Sequence, residues 1–299
     1  MKKYIPNRPL YYVFLTVVAL IAFAANSVLC RLALGEGLID AAGFSVVRLI
    51  SGVLVLWLIV AVNSKKKRLK VTSKGSWSAS IMLFVYAVTF SYAYISLDTG
   101  IGALILFGSV QGTIILLSVL SGARLNLSEA IGVLIAFGGL LYLILPSIST
   151  PSIYGFLLMT VAGIAWGVYT LKGRASDNPL WDTAYNFYRT LPLVCVLLVI
   201  SLKDLDLSPE GVLLAVLSGG VASGAGYAVW YMALGGLSAT VAAVVQLFVP
   251  VIAAVGGAIF MSEAITVHLV MSGALILGGI SVVLFARYLL LRASLDPRN

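Results

Sequence analysis

The stretch Tyr227-Ala228-Val229-Trp230-Tyr231-Met232-Ala233-Leu234-Gly235-Gly236 leads into an apolar helix carrying Gln246 and Pro250, and then into Ser262-Glu263-Ala264. The same order occurs earlier: Tyr92-Ala93-Tyr94, a Gly-bearing turn, an apolar helix carrying Gln111, and Ser128-Glu129-Ala130. Tyr92 and Tyr227 are 135 residues apart, as are Gln111 and Gln246, while Glu129 and Glu263 are 134 apart. Arg48 and Arg189, each seven to eight residues into an apolar segment, continue the correspondence at a spacing of 141. A register that survives over so many pairs is an internal duplication.

Composition says what kind of unit is duplicated. Apolar residues make up 61% of the 299 positions, charged residues only 10%, and the mean hydropathy is +1.08. A soluble domain carries about 25% charged residues, so this chain is expected to be a polytopic membrane protein. The net charge of +8 does not mark a nucleic-acid partner, because the cations sit in short links between apolar runs instead of on one polar face. The run Leu10 to Leu34 is too long for the apolar core of a secretory signal and reads as a retained helix. Cys30 and Cys195 fall inside apolar segments without metal-ligand neighbours, so they read as packing residues.

A membrane helix needs roughly 20 mostly apolar residues. Ten windows meet that length, at about 10–34, 41–62, 76–97, 100–122, 127–145, 152–171, 181–202, 210–234, 237–261 and 266–291. Turn and cap chemistry separates them: Gly35 to Gly37, Thr99-Gly100, Asn126 with Ser128, Pro146 to Pro151, Asn178-Pro179, Ser208-Pro209, Gly235-Gly236 and Ser262. Ser128 and Ser262 stand where N-caps belong, each followed by a glutamate suited to the positive end of its helix. The expected fold is an all-α integral membrane protein of two five-helix repeats, residues 10–145 and 152–291. Cytoplasmic links are enriched in lysine and arginine. With the N-terminus inside, Lys2, Lys3, Arg8, the run Lys65 to Lys74, Arg124, Lys172, Arg174, Arg287, Arg292 and Arg298 are all inside. Glu36, Asp40, Asp98, Asp204, Asp206 and Glu210 then lie outside with Arg31 and Lys203. Both termini are therefore expected in the cytoplasm. Five is odd, so the second repeat enters the membrane in the opposite sense, and inverted repeats suit alternating access around a central site.

The ten-helix plan, with a Gln- or Pro-bearing fourth helix, a Ser-Glu-Ala link and a Gly-rich last helix in each copy, resembles the drug/metabolite transporter superfamily and its EamA-type exporters. The resemblance covers about residues 10–291. It is most specific from Gln246-Leu247-Phe248-Val249-Pro250 through Ser262-Glu263-Ala264 to Gly273, and the first copy departs from it with Ile115 opposite Pro250. The aromatic-rich start of the second copy is most similar to bacterial aromatic amino acid exporters of the YddG type. That likeness implies a bacterial inner-membrane exporter of neutral, chiefly aromatic, amino acids; export of another small metabolite or drug-like compound is the alternative.

Polar side chains within lipid are costly and usually face a cavity or a partner. Arg48 and Arg189 either hold a substrate carboxylate or bond carbonyls and snorkel to a face. Gln111 and Gln246 offer a donor and an acceptor each, either to a zwitterion or to neighbouring helices. Among the aromatic residues, Tyr86, Tyr92, Trp166, Tyr169, Tyr188 and Trp230 are candidates for lining a cavity. Trp166, between Ala165 and Gly167, either walls it or packs in the core. Asn26 stands 140 residues before Trp166 and is a candidate for the facing wall. Gly219, Gly220, Ser223, Gly224 and Gly226 suit close helix approach, and Pro192 and Pro250 suit bends.

Absences narrow the function. No Asp or Glu lies mid-span, which disfavours proton exchange against cationic drugs. No phosphate-binding Gly-Lys loop is present, and no link exceeds about thirteen residues, so neither an ATPase nor an enzyme is expected. His268 beside Glu263 is the one pair an enzyme could use, and His268 reads as a solvated cap residue. No cofactor and no metal site are expected. The partners are a small-molecule substrate and the bilayer, with no nucleic acid; the oligomeric state is open and compatible with a monomer.

Overall fold

The computed structural model describes residues 9–67, 74–122, 126–144, 152–173, 176, 178–237 and 239–294. Lys2, Lys3, Arg8, Arg68, Lys70, Arg124, Pro146 to Pro151, Arg174 and Arg298, and the side chains of Lys65 to Lys67, Arg287 and Arg292, lie outside the described residues, so the full count of inside cations does too. Among the described residues ten helices are long and apolar enough to span a bilayer. They are α1 (Pro9–Gly35), α2 (Ala41–Lys67), α3 (Trp77–Tyr94), α4 (Thr99–Leu120), α5 (Leu127–Ile144), α6 (Ile153–Gly173) and α7 (Pro179–Ser201), then α8 to α10. Helix α8 runs from Pro209 to Leu234 through a π-helical stretch, Leu217–Ala225. Helix α9 comes in two pieces, Ala239–Gln246 and Phe248–Met261, and α10 is Val267–Ser294.

Local chemistry explains most boundaries. Asn178 and Ser208 accept from Trp181 N and Gly211 N, with Pro179 and Pro209 starting the helices behind them, as the sequence leads one to expect. Pro250 has no N–H for the Gln246 carbonyl, and α9 breaks directly after Gln246. Pro192 stays inside a continuous α7. Ser128 and Ser262 differ from expectation. The N-cap of α5 is Asn126, whose Oδ1 accepts from Glu129 N at 2.8 Å while Glu129 Oε2 accepts from Asn126 N at 3.0 Å, a reciprocal capping box. Ser262 ends α9 in the left-handed region, at φ 55°, and α10 is capped by Thr266.

The contacts between links fix the sense of each helix. Ile39 pairs with Leu207, and Asp40 N donates to the Asp206 carbonyl, joining the α1–α2 and α7–α8 links. Arg31 reaches Asp98 and Glu263, and Ser96 bonds Ser152 at 2.7 Å. The α1–α2, α3–α4, α5–α6, α7–α8 and α9–α10 links thus share one end of the bundle, which carries the acids. At the other end Gly75 N and Ser76 N donate to Asp182 and Asn186, so the two five-helix halves start at opposite ends.

Packing follows crossed pairs. Helix α3 lies on α6 and α1 on α8; α4 also lies on α6 and α1 on α9. Helix α5 packs along α10, where Gly132 and Gly279 meet so closely that a Cβ on either would strike the other's backbone. Large apolar residues such as Leu54, Leu134 and Ile259 are exposed. A surface of that kind suits lipid.

Candidate functional site

The site lies where α1, α3, α6 and α8 meet. Asn26 on α1, Tyr86 on α3, Trp166 on α6 and Tyr227 on α8 line one cavity, with Phe23, Phe90, Ser223 and Gln246. The Trp166 ring is the hub: it lies 4.7 Å from Tyr86, 5.2 Å from Tyr169 and 5.4 Å from Tyr227, nearly parallel to the last two. Stacked rings give a rigid apolar wall beyond what area burial alone provides. Tyr169 and Tyr231 both bond Thr183, which anchors that wall to α7.

The polar side is a chain of named bonds. Asn26 accepts from Ser218 Oγ at 2.6 Å and donates through Nδ2 to the Tyr86 hydroxyl at 3.3 Å. Arg48 donates through Nη2 to that same hydroxyl at 3.2 Å, with its guanidinium over the Tyr86 and Phe90 rings. Arg48 is only 2% exposed, and among the described residues its Nη1 has no hydrogen-bond partner; neither has Ser223 Oγ. The room inside is about 30 Å³, enough for a few waters at most and about tenfold below ordinary ligand pockets. The bundle is contracted around its centre.

Several candidate residues lie elsewhere. Arg189 does not join Arg48: its guanidinium reaches the Lys74 carbonyl and lies over the Trp77 ring, so the long side chain serves the α2–α3 link. Tyr188 is 52% exposed and packs on Trp57. Tyr92 lines a separate recess of about 350 Å³ at the acidic end, with Asp40 and Asp204. Gln111 is buried in α4 but does not line the cavity. Trp230 stands behind the wall, against Phe23. Phe23, Phe90, Ser223 and Tyr227 were not singled out as site residues by sequence. Tyr227 had a usable signal, since it lies three residues before Trp230 in the aromatic stretch that leads to Gln246. Ser223 had none, because its place depends on a π-helical turn.

The acidic end holds a second cluster. Glu263 accepts from Thr99 N at 3.0 and 2.9 Å, from Thr99 Oγ1 at 3.1 Å and from Arg31 Nε at 3.3 Å. Arg31 also donates to the Tyr94 and Ile95 carbonyls. Glu263 therefore caps α4 and not α10, contrary to the expectation for that residue. Burial pushes its carboxyl above the usual carboxylate range, against the opposing pull of Thr99 and Arg31. His268 is not a solvated cap either: its Nε2 lies 2.8 Å from the Tyr142 carbonyl, tying α10 to α5. Among the described residues no group of His, Cys, Asp and Glu could hold a metal ion.

A ten-helix membrane bundle with a small, aromatic-walled central cavity has the build of a multi-pass membrane transporter. The model of the EamA-like transporter family matches residues 153–285. An uncharacterized protein of Pseudomonas aeruginosa is 47% identical, over 91% of this chain and 94% of its own. The uncharacterized transporter YoaV of Bacillus subtilis is 22% identical, over 79% of this chain and 85% of its own, and an uncharacterized transporter of Archaeoglobus fulgidus is 28% identical, over 78% and 84%. A crystal structure at 18% identity superposes with a TM-score of 0.60, covering 89% of this chain and 98% of that one, and so shares the fold. Over residues 153–285 the chain therefore carries a domain of the EamA-like transporter family.

Proposed function

We propose that the chain is a secondary transporter of the bacterial inner membrane that exports neutral, chiefly aromatic, amino acids by alternating access. Two inverted repeats, residues 10–145 and 152–291, exchange conformations around the cavity, with both termini in the cytoplasm. The observation that carries this proposal is the Trp166 wall, stacked on Tyr169 and Tyr227 and tilted against Tyr86, beside the buried Arg48 cation. Flat rings suit an aromatic side chain, and a guanidinium suits a carboxylate. Opposite starting ends for the two halves, together with the crossed pairs α3 on α6 and α1 on α8, favour the inverted-repeat assignment. The contracted cavity fits a cycle in which the site must open to admit substrate.

The test is uptake of labelled phenylalanine into proteoliposomes holding only this protein, with and without a pH gradient, competed by unlabelled amino acids and by a cationic dye. Competition by neutral amino acids is the expected result, and Trp166→Ala should change the flux while folded protein remains in the membrane. Flux no higher than in empty liposomes overturns the amino acid assignment and moves the substrate to another small metabolite or drug-like compound.

A further inference from the structure

The cavity lining is neutral among the described residues, and the buried Arg48 cation stands behind it, over the Tyr86 and Phe90 rings. Among the described residues no acidic residue lines the cavity and no carboxylate pairs with Arg48. Among the described residues the hydrogen bond that the Arg48 side chain makes goes to a neutral phenol, Tyr86, which does line the cavity. A buried cation without a counter-ion is costly, and so is a buried hydroxyl without a partner. Arg48 Nη1 and Ser223 Oγ are both in that condition. Both are donors that a carboxylate would satisfy.

The backbone packs together the two elements that carry these donors. Ser223 belongs to the π-helical stretch Leu217–Ala225, and that stretch packs directly on α2. A Cβ at Gly219 would collide with the Arg48 carbonyl, and one at Gly224 would press on Val55. Glycine lets the wide turn sit flush against the segment that carries Arg48. π-Helical turns are rare and frequent at functional sites.

An ammonium group meets a different reception. The Asn26 carbonyl oxygen already accepts from Ser218, and the Trp166 ring is shared among three tyrosines. Gln246 is the other amide on the cavity wall. Nothing on that wall carries negative charge.

We propose that the cavity selects its substrate by a carboxylate on an aromatic body, held by Arg48 Nη1 and Ser223 Oγ, and that the chain therefore also carries aromatic monocarboxylates that lack an α-amino group. The inference rests on the cavity being the transport site. It changes the substrate class: the ammonium of an amino acid is tolerated, and the carboxylate is required.

Proteoliposomes of the full chain test this with three labelled compounds of similar shape: phenylalanine, hydrocinnamate, which lacks the ammonium, and phenethylamine, which lacks the carboxylate. Hydrocinnamate should be carried and should compete about as well as phenylalanine, with phenethylamine weaker by about tenfold or more, the scale of a lost charge-assisted hydrogen bond. Ser223→Ala, a small change that keeps the helix, should weaken competition by hydrocinnamate several-fold. Arg48→Gln should erase the preference for acid over amine, and quenching of tryptophan fluorescence by hydrocinnamate reports binding where flux is lost. Phenylalanine flux without hydrocinnamate flux overturns this inference and leaves the amino acid assignment standing. Amine preferred over acid also overturns it. Silence of all three compounds overturns both.

Discussion

At Ser128-Glu129-Ala130 the glutamate closes a capping box with Asn126 at the start of its own helix, whereas at Ser262-Glu263-Ala264 it caps another helix, taking Thr99 at the start of α4 and Arg31 on α1. The link sequences are the same, so the flanks decide. The register of 134 places Phe260 opposite Asn126, and phenylalanine has no oxygen to cap with. Ser262 turns the chain into the left-handed region and α10 begins only at Val267, which gives Glu263 the reach to another helix. The same three-residue sequence thus plays two roles: one stabilises a helix, and the other ties α1, the α3–α4 link and the α9–α10 link together at the acidic end.

The sharpest break of this comparison is to remove each carboxylate in turn. Glu263→Ala strands the Thr99 donors, leaves Arg31 with Asp98 and the Tyr94 and Ile95 carbonyls, and should cost about 3 kcal/mol, the scale of buried hydrogen bonds to a charged group. Glu129→Ala removes one half of a capping box and should cost about 1 kcal/mol. Thermal unfolding of the full chain in detergent measures both, and equal losses would dissolve the distinction. A smaller contrast lies one step out, at Arg31 and Lys172, which are 141 residues apart and so correspond in the register of the two arginines. Arg31→Gln should cost about 1–2 kcal/mol, because the Thr99 bonds to Glu263 remain. Lys172 is exposed, and Lys172→Gln should stay within about 0.5 kcal/mol.

These contrasts show where sequence stops informing. The ten helices were legible because roughly 20 apolar residues between Gly, Pro and cap signals admit few other structures in lipid. Asn26, Tyr86, Trp166, Tyr169 and Arg48 were legible as site candidates because polar or large aromatic groups in mid-span require a reason to be there. Arg189 looked identical to Arg48 by position, yet a long flexible side chain can serve a carbonyl far from its Cα, and sequence spacing does not record where the guanidinium ends. Ser223 was hidden for a different reason: a π-turn rotates the side chains that follow it, so 3.6-residue periodicity misplaces them. Glu263 was misassigned because a cap rule is local, while its partner Thr99 is 164 residues away.

The smallest effect concerns pH. Burial raises the Glu263 carboxyl above its ordinary range, with Asp98 adding to the shift and Thr99 and Arg31 opposing it. A raised folded-state value means that the folded protein binds this proton more tightly than the unfolded chain does. The resulting stability is fully present below the unfolded carboxylate value and is lost as pH rises through the folded one. Glu263→Gln carries a neutral group throughout and has no such slope. The melting temperature of the wild type relative to Glu263→Gln should therefore fall as pH is raised from about 4 toward neutrality, and then level off. A difference that rises over that window would mean that the Arg31 ion pair outweighs desolvation. With the expected slope, the tie at the acidic end is held in spite of its charge, through the acceptor oxygens that Glu263 presents to Thr99. Protonation then leaves that cap partly in place while weakening the Arg31 contact between α1 and the α9–α10 link.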